Sequence, residues 1–189
     1  MYTRVMKKVF IVHGLDGTPN GGWRPWLMSE LQKMDVYACA LSMPNQSDPK
    51  LSEWMEEIAR HVSNSKGDDI YLIGHSLGVP AILNYVETSP PDTKLAGVIC
   101  VSGPSKKIAH EKVSHFLEKP FDFETIRSKV KKFSVIHGDN DPVVSLDNAG
   151  YLSEQLKCDL VIVPNGKHLN GSAGFTQLPE CLDELKTMF

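Results

Sequence analysis

The sequence predicts a single α/β domain over residues 1–189, in which a six-stranded parallel sheet carries helices on both faces. Three observations predict it. Short β-branched runs alternate with longer stretches of helical period, the pattern of successive βαβ units. Most of the short runs are continuously apolar rather than alternating, as strands buried on both faces should be. No internal repeat, low-complexity tract or linker divides a chain whose length suits one core.

The first strand is expected over 8–13, the run Lys8-Val9-Phe10-Ile11-Val12 closed by His13. A helix over 23–33 and a strand over 36–41 follow. In the next helix, 52–65, Leu51, Met55, Ile58 and Val62 recur at helical spacing and place one face on the sheet, with Trp54 read as packing. The strand 70–74 leads directly into a helix over 77–88, and a fourth strand spans 95–101. The stretch 102–132 is about 30 residues long where a crossover needs only about 10 to 12. It carries Pro104, Pro120, Phe121 and Phe123 and is expected to form a short cap or pocket wall. The strand 133–137, the helix 148–156, the strand 160–164 and the helix 176–188 complete the chain.

Bulk properties exclude several classes of function. A net charge of −3 gives no electrostatic footprint for nucleic acid. The N-terminal apolar run is too short for a secretory signal, and no stretch approaches the roughly 20 apolar residues of a membrane span. A soluble cytoplasmic protein is therefore expected. Cys39, Cys100, Cys158 and Cys181 are scattered without a C-x-x-C pair or histidines at ligand spacing, so reduced thiols and no metal are expected. Three of them lie in or beside predicted strands, where a free cysteine serves as a small buried hydrophobe.

The chemistry centres on Gly74-His75-Ser76-Leu77-Gly78, which follows an apolar strand and precedes a helix. G-x-S-x-G alone is a weak signal. Set at a strand-to-helix turn it describes a nucleophile elbow, in which glycines permit a tight turn and the serine hydroxyl projects from the sheet edge. The Leu77 N–H, at the start of the following helix, is one expected oxyanion donor.

A hydroxyl near neutral pH needs a base, and the base needs a partner that fixes its tautomer. In α/β-hydrolases the order is Ser, then Asp or Glu, then His. The fifth strand ends in His137-Gly138-Asp139-Asn140-Asp141-Pro142, placing two aspartates beyond its C-terminal end. Asp141 is favoured as the orienting residue and Asp139 as the one that stabilises the turn. His168 lies in a Gly-flanked loop after the last strand and is the expected base. Val12-His13-Gly14-Leu15 closes the first strand, and the Leu15 N–H is the second expected oxyanion donor, with His13 supporting its loop. Trp23, Trp26, Phe116, Phe121 and Phe175 are candidates for an apolar substrate pocket, although each could equally be core.

With these residues in place the chain resembles the short α/β-hydrolases typified by the retinoblastoma-binding serine hydrolase and its bacterial relatives. The resemblance covers essentially the whole length. It is carried by Val12-His13-Gly14, Trp23 with Pro25 and Trp26, Met43-Pro44-Asn45 followed by Trp54, the Gly74–Gly78 elbow, Phe116 with Pro120-Phe121-Asp122-Phe123, Asp141-Pro142 and Gly166-Lys167-His168. It implies a strand order of 2-1-3-4-5-6 and a Ser76, Asp141 and His168 triad. The residues themselves point to a serine hydrolase that cleaves a small ester or amide through an acyl-enzyme and needs no cofactor. Gly-Lys-His stands where the family more often has Gly-His. The L-x-C-x-E peptide for retinoblastoma binding is absent, because Leu156-Lys157-Cys158-Asp159 is followed by Leu160, so that partner is not expected. The alternative is a protein-binding module that retains a vestigial site. A nucleotide-binding domain fails on the first turn, since Gly14-Leu15-Asp16-Gly17 is neither G-x-G-x-x-G nor a P-loop.

Overall fold

The computed structural model describes residues 5–106 and 110–189. Its strands are β1 (Lys7–Val12), β2 (Tyr37–Ala40), β3 (Asp69–His75), β4 (Gly97–Val101), β5 (Phe133–Gly138) and β6 (Leu160–Val163). Its helices are α1 (Arg24–Lys33), α2 (Leu51–Ser63), α3 (Gly78–Thr88), α4 (Glu111–Ser114), α5 (Phe123–Lys129), α6 (Leu146–Leu156) and α7 (Pro179–Met188). All strand pairs are parallel, in the order β2-β1-β3-β4-β5-β6. That is the order the family resemblance implies. Among the described residues no helix is long and apolar enough to cross a membrane.

The period of two along each strand splits the interior into two cores. Phe10, Val12, Leu72, Val98 and Cys100 face one side, where they meet Trp54 and Ile58 of α2, Ile82 and Val86 of α3, Ile126 of α5 and Leu152 of α6. Val9, Ile11, Ile73, Ile99 and Val101 face the other, against Leu27 and Leu31 of α1 and Leu182 and Leu185 of α7. Helices on both faces explain why the central strands read as unbroken apolar runs. Of the free cysteines, Cys100 sits in the first core and Cys181 in the second. Burial pushes both thiols up, and Cys158 to about 12.

Element ends differ from the sequence reading for local reasons. The last helix starts at Pro179 rather than 176, because proline supplies helical φ and needs no N–H partner, while Leu178 before it stays extended in φ. The helix expected from 148 begins at Leu146, after an extended Ser145 and with Asp147 in its first turn, where a carboxylate favours the helix dipole. Leu95 joins the sheet only through an isolated bridge to Val130, so β4 is shorter than expected.

Within 102–132 the described residues form α4, a 3₁₀ turn at His115–Leu117 and α5. Phe116 stacks edge-on against Trp54 with 5.6 Å between ring centres, and Asn84 of α3 donates to its carbonyl at 2.9 Å. The buried Lys129 ammonium donates to the carbonyls of Val86, Glu87 and Ser89 at 2.9, 2.9 and 2.6 Å. A positive charge thus meets the carbonyls that the C-terminal end of α3 leaves without partners.

Candidate active site

β3 ends at His75 and α3 begins at Gly78, so the chain turns within two residues. Ser76 takes a left-handed φ of 53°, which costs a residue with a side chain roughly 1 to 3 kcal/mol. Its N–H donates to Val101 O at 2.9 Å and offsets part of that strain. A Cβ at Gly74 would come within 2.7 Å of Val79 N, and one at Gly78 would overlap the Val12 carbonyl oxygen. Gly14 lies against the serine itself, where an added Cβ would stand 2.9 Å from Ser76 Cβ. The loop after β1 therefore rests directly on the turn.

Two further loops reach the same point from the C-terminal ends of β5 and β6. Ser76 Oγ donates to His168 Nε2 at 3.0 Å, and His168 Nδ1 donates to Asp141 Oδ2 at 2.8 Å. Asp141 Oδ1 accepts the N–H groups of Val143 and Val144 at 2.8 and 3.0 Å. Burial would by itself raise this carboxyl. The hydrogen bond from His168 and those two N–H groups outweigh burial and leave it below its ordinary range. Asp141 thus stays ionised opposite the imidazole.

The histidine loop is built by partners that sequence reasoning missed. Lys167 and Leu169, on either side of His168, both have left-handed φ, at 49° and 47°. Asp139 Oδ1 accepts the Asn165 N–H at 2.8 Å, and Asn140 Oδ1 accepts the Lys167 N–H at 2.8 Å. Trp23 Nε1 donates to Leu169 O at 2.9 Å, and His75 Nε2 donates to His168 O at 2.9 Å. Four side chains on three elements therefore fix the backbone on both sides of the imidazole. Burial first, then the nearby His168 ring, pull His75 down to about 3, so it remains a neutral donor. Only the position of Asp139 and Asn140 beside Asp141 could have hinted at this, since no spacing rule identifies them.

His13 has a comparable part in the first loop. Its Nδ1 donates to Gly14 O at 2.8 Å, and its Nε2 accepts the Met43 N–H at 3.4 Å. Burial is the main cause that lowers its pKa and keeps it neutral.

A cleft of about 190 Å³ opens beside Ser76 and His168, lined also by Leu15, Asp16, Arg24 and Asn170. Leu77 is buried at the N-terminal end of α3. The five aromatics expected as pocket candidates are not among the residues that line this cleft. Trp23 is wholly buried under His75 in the second core, with Trp26 and Phe175 packed at the margin of that core. Phe116 and Phe121 belong to the first core. Large aromatic surfaces gain most by leaving water, and here the two cores took them.

The family model described as Serine hydrolase matches residues 9–187. The chain belongs to the serine hydrolase family. Within that family it is 33% identical over 184 residues to YdeN of Bacillus subtilis (strain 168), covering 97% of this chain and 96% of YdeN. The crystal structure of the ydeN gene product matches with a TM-score of 0.92 and 32% identity, over 97% of this chain and 99% of that one. Est1E from Butyrivibrio proteoclasticus matches at 0.75 with 18% identity, over 98% and 89% of the two chains, which extends the likeness in fold. The fold of this serine hydrolase is that of the α/β-hydrolases.

Proposed function

We propose that the protein hydrolyses small esters or amides through an acyl-enzyme on Ser76. One observation carries the reading: an unbroken hydrogen-bonded chain from Ser76 Oγ through His168 to an ionised Asp141 whose side chain is buried, beside an open cleft. As Oγ bonds to the substrate carbonyl carbon, its proton passes to His168 Nε2 and the carbonyl electron pair moves onto oxygen. Asp141 steadies the imidazolium through Nδ1–H. The N–H groups of Leu77 and Leu15 receive the oxyanion: Leu77 leads α3, where helix N–H groups lack intrahelical partners, and Leu15 lines the cleft. Collapse expels the alcohol or amine, which takes the proton from His168. Water repeats the sequence and releases the acid.

A fluorophosphonate tests the reading directly, because only an activated serine reacts quickly. Wild-type protein should be labelled one to one at Ser76, and Ser76→Ala should lose on the order of a million-fold in kcat on p-nitrophenyl esters of graded chain length or aminoacyl amides. Undiminished hydrolysis by Ser76→Ala would end the proposal. Folded wild-type protein that takes no label would instead favour a binding module on a hydrolase fold.

A further inference from the structure

We propose that Arg24 is a specificity residue of this site and that the substrate carries a carboxylate, on a short acyl or alcohol arm, which Arg24 binds. The inference rests on the hydrolytic reading above. Arg24 opens α1 and lines the same small cleft as Ser76 and His168. It is only 6% exposed. Among the described residues its one side-chain hydrogen bond is from Nε to Thr18 O at 3.0 Å, and no carboxylate lies within 4.0 Å of the guanidinium. Among the described residues neither terminal nitrogen has a hydrogen-bond partner, neither is fully sealed from solvent, and the residue lines the cleft.

A nearly buried cation with most of its donors unused is an expensive arrangement unless something completes it. The neighbours do not. His13 and His75 feel the charge of Arg24 and are held neutral, with burial as the larger cause in both. Burial draws the guanidinium itself down only to about 10, so it is charged at neutral pH. Asp16, the one acid that lines the cleft, is exposed, and water screens it. Loop 14–22 packs on the guanidinium closely enough that a Cβ at Gly21 would stand 2.5 Å from Nη2. With Nε committed to Thr18 and the stem buried, the planar fork is fixed before ligand arrives, which favours a carboxylate with two acceptor oxygens. At about 190 Å³ the cleft falls below the roughly 300 to 1,000 Å³ of sites for drug-sized molecules, so the arm is short.

The test compares carboxylated esters with neutral counterparts of similar length in the full chain. Monomethyl succinate is set against methyl butyrate for a carboxylate on the acyl side, and acetoxyacetate against propyl acetate for the alcohol side. Wild type should favour one carboxylated ester by at least tenfold in kcat/KM, chiefly through KM. In Arg24→Gln that ratio should fall by about tenfold or more, to near one, and Arg24→Lys should keep part of it, whatever the absolute rates. A merely structural Arg24 would lower both members of a pair together. Should Arg24→Gln not fold, wild type supplies the answer: butyrate should compete with neutral-ester hydrolysis and butyramide should not. No carboxylate preference, a preference that survives in Arg24→Gln, or equal inhibition by butyrate and butyramide overturns the inference. If Ser76 is still labelled by a fluorophosphonate in that case, the hydrolytic reading stands. Loss of labelling and of all ester cleavage takes both down.

Discussion

The turn that presents Ser76 and the loop that presents His168 solve the same problem by opposite means. Around the serine, side chains are missing: Gly74, Gly78 and Gly14 let three backbone segments close on the turn. Around the histidine, side chains are present: Asp139, Asn140, Trp23 and His75 each satisfy a backbone group of the loop. Steric closeness is all or nothing, because a methyl either fits or displaces backbone. Hydrogen bonds give way in steps. The first arrangement should be brittle and the second graded.

The sharpest break comes from the relay that joins the two regions. Asp141→Asn should lower kcat about ten-thousand-fold with little change in unfolding free energy, since an amide can still accept from Val143 and Val144 but no longer fixes the imidazole tautomer. A loss below tenfold would detach Asp141 from the chemistry. Next, Gly78→Ala tests brittleness. The added methyl overlaps the carbonyl of the wholly buried Val12, and denaturant unfolding should show a loss of about 3 kcal/mol or more. A loss under 1 kcal/mol would show that the turn can yield.

The pH dependence of stability sharpens the contrast further. His75 refuses a proton down to about 3 in the fold, whereas an unfolded histidine takes one near 6.5. Its contribution is therefore whole above pH 6.5 and shrinks as the pH falls from 6.5 toward 3. At pH 4.5 the loss from this residue should be roughly 2 to 3 kcal/mol. His13, also lowered, acts with the same sign. Urea titrations of His75→Gln at pH 7 and 4.5 should show a smaller acid penalty than wild type, and an unchanged one would contradict the assignment. The smallest effect is expected from Asn140→Ala, which frees one N–H of the histidine loop while three other supports remain. A loss of about 1 kcal/mol and a several-fold fall in kcat would mark the graded response.

The same contrast explains what could be read from the sequence. The sheet was legible because burial on both faces writes itself into Val9-Phe10-Ile11-Val12 and Ile70-Tyr71-Leu72-Ile73 as unbroken apolar runs. The serine turn was legible for a related reason: close approach demands glycine, and glycine at that spacing is visible. The supports of His168 were not, because a tryptophan 146 positions away from its acceptor leaves no local pattern. Pocket aromatics failed in the same way. Trp23 and Phe116 announce an apolar environment, but only the fold decides whether it is cleft or core. Arg24 carried the weakest signal of all, a single charge before Pro25 and Trp26 whose meaning depends on the loop that packs over it.

The buried Lys129 ties the end of α5 to the far end of α3, the helix that starts beside Ser76. Pulling the two apart would strand an ammonium in an apolar interior and bare three carbonyls at once. The pair therefore behaves as a latch. Any separation of α5 from α3 must break all three contacts together, so Phe123–Lys129 should stay attached when the protein is challenged with a protease.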